Sequence, residues 1–152
     1  MSTDKNVASD VMETLEDGKE GFAKAAGLLE KDSPELCAAF LRLSHQRSSF
    51  YDELHEMAKD YGDKIEESGS ITAALHRGWM ALKDAVSGSG PTGVLDAAVQ
   101  GEEHAVKTYE TALESSDLSS GLRLVLARQM DDVSKAYVEV KGLRDAHQAK
   151  AA

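Results

Sequence analysis

Three polar residues stand where an apolar side chain is expected. The stretch Leu36, Phe40, Leu43, Arg47, Phe50, Leu54, Met57, Tyr61 advances by alternating four and three residues, and Arg47 interrupts it. Glu102 interrupts Leu95, Ala98, Ala105, Tyr109, Ala112 in the same way, and Gln129 interrupts Leu122, Leu126, Val133, Ala136, Val140, Leu143. A seam of this period faces neighbouring helices, so all three polar groups should point inward, where they are costly unless paired. Asp17 stands beside Gly18 on a further seam, Val11, Leu15, Gly18, Phe22, Ala25, Leu29, and is the expected contribution of that helix. Two chemistries suit such a layer. In one, Glu102 and Asp17 pair with the fixed charge of Arg47 and Gln129 takes up remaining donors. In the other, Glu102, Asp17 and Glu20 hold a single metal ion, or the layer receives a small ligand. A permanent guanidinium charge repels a divalent ion, which favours the first.

A two-metal carboxylate centre in a helical bundle takes a Glu from each of two helices and Glu-x-x-His from each of the others. Three residues upstream of His45, His76, His104 and His147 stand Arg42, Ala73, Gly101 and Arg144. Only His55 has an acid there, Asp52, and that acid lies about 200° around the helix from Phe50, toward solvent. Glu102, Glu103 and His104 diverge by about 100° each and cannot converge on one ion. No catalytic residue, metal ligand set or cofactor is therefore expected. Ser, His and Asp are present without the strand-to-helix elbow that exposes a nucleophile, and phosphate loops, paired Cys motifs and basic nucleic-acid motifs are absent.

The elements that must position these groups are four long helices, expected over residues 4–31, 34–61, 92–115 and 120–148. Ser33-Pro34-Glu35 is a helix start, with an N-cap, a proline in the first turn and an acid against the dipole. Gly62 is the expected stop of the second helix. Between the second and third lie roughly 29 residues, containing an amphipathic segment over 70–87 with the stripe Ile71, Leu75, Trp79, Leu82, Val86 and closed by Gly88-Ser89-Gly90-Pro91. A hairpin needs only a few residues, so this length favours a long crossover and an up-down-down-up order. Trp79 is the expected anchor of the crossover helix, with His76 and Arg77 flanking it, able to bind an anion or hold a carboxylate. The expectation is all-α: a four-helix bundle forming one domain over 1–152. Gly18 either admits the long Arg47 side chain to the seam or is merely tolerated.

Composition excludes further classes. With 27 acidic and 17 basic side chains the formal net charge is −10, and the basic residues are scattered singly. Neither a nucleic acid nor an anionic membrane surface is an expected partner. Cys37 is alone, so no intramolecular disulfide is available. The first ten residues carry no apolar run and no stretch reaches membrane-spanning length, so a cytoplasmic location is expected.

Leu15-Glu16-Asp17-Gly18-Lys19-Glu20-Gly21-Phe22, together with Gly69-Ser70, His76-Arg77-Gly78-Trp79-Met80 and Tyr109, resembles the bacterial ferritin-like four-helix-bundle proteins of unknown function. The resemblance extends from about Val7 to Asp145. It implies a ferritin-like bundle in a bacterial cytoplasm and implies no reaction, because fold alone does not carry function. The expected role is non-catalytic, as a stress-associated or protein-interacting accessory with an unidentified protein partner. A divergent metal-binding or oxidase relative is the alternative. Helix faces outside the seams carry few large apolar residues, which permits a homodimer but argues against an extensive shell.

Overall fold

The computed structural model describes residues 2–59 and 80–151. Among them are four helices and no strand: α1 (Ser2–Leu29), α2 (Pro34–Ala58), α3 (Met80–Leu113) and α4 (Ser120–Ala151). The seam residues Val11, Leu15, Gly18, Phe22, Ala25 and Leu29 of α1 are all buried, and so are Leu95, Ala98, Glu102, Ala105, Tyr109 and Ala112 of α3. α1 lies along both α2 and α3, α3 lies along α4, and α2 meets α4 only briefly.

Two buried clusters lie one beyond the other along the helices. One joins Phe22 to Leu29 of α1 with Phe40 and Leu43 of α2, Leu82 and Val94 to Val99 of α3, and Ala136 and Val140 of α4. The other joins Val11, Met12 and Leu15 with Phe50 and Leu54, Ala105 to Ala112, and Leu122 to Val133. Arg47 and Glu102 stand in sequence between the two, each flanked on one side by a residue of either cluster. Leu82 is the described member of the expected crossover stripe with a placed side chain, and it is buried in the first cluster.

Helix ends depart from the expected bounds for local reasons. α1 stops at Leu29 rather than 31, because Pro34 drives Ser33 into extended backbone (φ −154°, ψ 94°), where its hydroxyl accepts from the Leu36 N–H at 3.2 Å. α2 is described to Ala58, with Lys59 in a tight turn; Tyr61, Gly62 and the first part of the crossover lie outside the described residues. The turn expected over 88–91 is far smaller than anticipated. Helix continues through Gly88 and Ser89, and only Gly90 leaves helical backbone, at φ 60° and ψ −142°. That conformation suits glycine, and Pro91 then restarts the helix with its φ already set. α3 ends at Leu113 rather than 115, and the Arg123 guanidinium satisfies carbonyls left free there, taking that of Leu113 at 2.9 Å and that of Ser115 at 2.5 Å. Ser119 caps α4, accepting from the Leu122 N–H at 3.3 Å. The Ala- and Lys-rich tail beyond the expected end at 148 continues as helix to Ala151, in keeping with its high helix propensity.

Candidate functional site

Arg47 of α2 and Glu102 of α3 meet in the middle of the molecule, 1% and 0% exposed. The guanidinium grips the carboxylate with both ends, Nη1 to Oε1 at 2.5 Å and Nη2 to Oε2 at 2.6 Å. Its Nε–H donates to Gln46 Oε1 at 3.1 Å. Its face lies over the Phe22 ring, 5.2 Å from the centroid, so the desolvated cation also meets the negative face of an aromatic. On the α1 side, a Cβ at Gly18 would stand 3.4 Å from Arg47 Nη1 and 3.6 Å from Cγ. Glycine there leaves the arginine stem room to lie against the helix. Burial pushes the Glu102 carboxyl up from its ordinary value, and the adjacent guanidinium pulls against that push. Arginine does not give up its proton, so without the Glu102 charge a buried cation would stand uncompensated.

Gln129 does not join this pair. Its Oε1 accepts from the Tyr109 hydroxyl at 2.8 Å, and its Nε2 donates to Glu53 Oε1 at 2.8 Å and to the Phe50 carbonyl at 3.3 Å. Tyr109 lies seven residues after Glu102, about 10 Å farther along α3. The expected single layer is thus two networks at different depths. The residues of α4 on either side of the waist are apolar: Val133 belongs to one cluster and Ala136 to the other. Glu53 also receives the Arg128 guanidinium, which links the buried glutamine to the surface. Burial pushes the Tyr109 hydroxyl well above its ordinary pKa, so it stays a donor.

Asp17 does not reach the guanidinium either. One residue from Gly18 is about 100° of helix, and that turn carries Asp17 off the seam into a groove of about 720 Å³ between α1 and α3. Asp10, Glu13 and Thr14 share its wall, and Gln100, His104, Lys107 and Thr108 line the other. Its Oδ1 is shielded from solvent and has no hydrogen-bond partner. Burial raises its pKa to about 6.

The other singled-out groups are dispersed. His45 and His104 are exposed, and so is Asp52, while His55 stacks on Tyr51 with centroids 6.1 Å apart. His76, Arg77 and Trp79 lie outside the described residues. Gln46 and Glu53 complete the two networks without having been singled out in the sequence. Neither breaks a seam, which was the only available signal.

These donors do not fit a two-metal carboxylate centre. Both oxygens of Glu102 are engaged by a cation, the amide oxygen of Gln129 is engaged by a hydroxyl, and Asp17 points elsewhere. Among the described residues, no three of His, Cys, Asp and Glu gather as a metal ion requires. No described helix is long and apolar enough to cross a membrane.

No curated protein matches this chain. One family model does, described as Domain of unknown function (DUF2383), over residues 5–115. The match takes in α1, α2 and α3, and with them Gly18, Arg47 and Glu102, and it stops before α4 and Gln129. It covers most of the chain, and the protein therefore belongs to the DUF2383 family.

Proposed function

We propose that the chain is a single-domain, ferritin-like up-down-down-up bundle whose waist is a structural ion pair, and that it acts without catalysis as an acidic cytoplasmic accessory protein, stress-associated or protein-interacting. The observation that carries this reading is the bidentate Arg47–Glu102 contact. It occupies the depth at which bundles of this kind build metal centres, and it supplies the wrong charge for one. The order of the helices is supported by their shared ends: one cluster unites the C-terminal parts of α1 and α4 with the N-terminal part of α2 and the early turns of α3. A partner would meet a surface on which large apolar side chains stand apart, such as Leu124 and Val138 of α4; self-association as a homodimer is compatible with that surface.

Metal loading tests the reading. The protein is incubated anaerobically with iron(II) or manganese(II), desalted and subjected to elemental analysis. Retention well below one ion per chain is expected. Stoichiometric retention that is lost in Glu102→Gln would overturn the structural reading and favour a divergent metal-binding or oxidase protein.

A further inference from the structure

The Asp17 carboxyl is the described buried side-chain oxygen that the two polar networks leave out. Its Oδ1 is closed off from solvent yet accepts no hydrogen bond. An ionised carboxylate in that position has one oxygen that lacks both water and a donor, whereas a protonated carboxyl tolerates this better. Among the described residues, the groups around it do not supply the missing charge. Along its own wall of the groove stand the acids Asp10 and Glu13; across it on α3 stand His104 and Lys107. Behind Gly18 lies Arg47 of α2, whose guanidinium is committed to Glu102. No residue of α4 lines the groove. Burial alone accounts for the upward displacement of its pKa to about 6.

We propose that Asp17 is a proton-operated joint between α1 and α3: the two helices close on one another when its carboxyl is protonated, and the groove loosens to admit water when it is ionised. The hydrogen bond from Thr14 to Thr108, 3.3 Å long, ties the same two helices and is a contact this loosening would strain. The sign follows from linkage. Between the ordinary carboxyl value near 4 and the raised value near 6, the folded chain holds a proton that the unfolded chain has released. Stability contributed at this site is therefore present below that window, falls as pH rises through it, and is flat above it.

The test follows the Asp17 carboxyl carbon by NMR between pH 3 and 8, and compares urea denaturation and amide hydrogen exchange of the native protein with Asp17→Asn. The expected result is a titration midpoint near 6. Asp17→Asn should match the native protein at pH 4 and exceed it at pH 7.5. Exchange in the facing turns of α1 and α3, corrected for intrinsic rate, should rise with pH in the native protein and stay level in the variant. A midpoint near 4, or stability curves that run parallel across this range, would overturn the proposal. The NMR titration needs no substitution, so a poorly folding variant would not shield the idea.

Discussion

A buried arginine keeps its charge, so whatever surrounds Arg47 must be arranged around that charge. Glu102 answers it with two oxygens, Gln46 with one, and Phe22 with a ring face. Gly18 completes the arrangement by what it lacks. A methyl group there would sit at ordinary to tight contact with the arginine, and alanine gains up to about 1 kcal/mol of helix propensity. Gly18→Ala should therefore change stability by less than about 1 kcal/mol in urea denaturation, whereas Gly18→Leu should cost about 3 kcal/mol by displacing the guanidinium. Equal effects for the two would mean that the room beside Gly18 is not used by Arg47. Inward placement of Arg47, Glu102 and Gln129 could be read from their seams, because each stands where an apolar residue belongs. Their partners could not all be read. A seam says which way a side chain points but not how far along the molecule it lies, and Gln129 proved to be level with Tyr109 rather than with Arg47.

Helices were legible where apolar spacing is sustained, and so were the starts of α2 at 34 and α4 at 120, whereas other ends were not. Gly88-Ser89-Gly90-Pro91 has the composition of a loop, yet one residue makes the whole break. Gly90 is exposed and nothing stands within 4 Å of its missing Cβ, so any penalty for a side chain comes from the backbone alone. Gly90→Ala should cost about 1–3 kcal/mol, measured by denaturation, because a positive φ strains an L-residue. A loss below about 0.5 kcal/mol would mean that the α3 bend does not need this conformation. Between α2 and α4, whose backbones come close at few points, the ion pairs Arg42–Glu139 and Arg128–Glu53 bridge the gap alongside the Gln129 hydrogen bonds to Phe50 and Glu53. Both are partly exposed, and pairs of that kind contribute about 0–1 kcal/mol. They guide the approach of these helices more than they hold it.

At the scale of the whole molecule, two apolar clusters supply the stability and the waist between them supplies a constraint. A pair buried this deeply is weak evidence for net stabilisation, since well-packed apolar residues would serve as well. What it does impose is a match: α2 and α3 must bring these two side chains to one depth, or leave a charge without a partner. The all-helical class and the polar waist were visible in four interrupted or small-residue seams. The groove at Asp17 was not, because it depends on how α1 and α3 sit together, which no single helix records. The central claim is that the waist is a structural ion pair, and a double-mutant cycle tests it most directly. Arg47→Met, Glu102→Leu and the double variant are compared with the native protein by urea denaturation at neutral pH. Each single change should cost about 3–5 kcal/mol, and the double variant should return close to native stability. Single changes that cost less than about 1 kcal/mol and simply add in the double variant would contradict it.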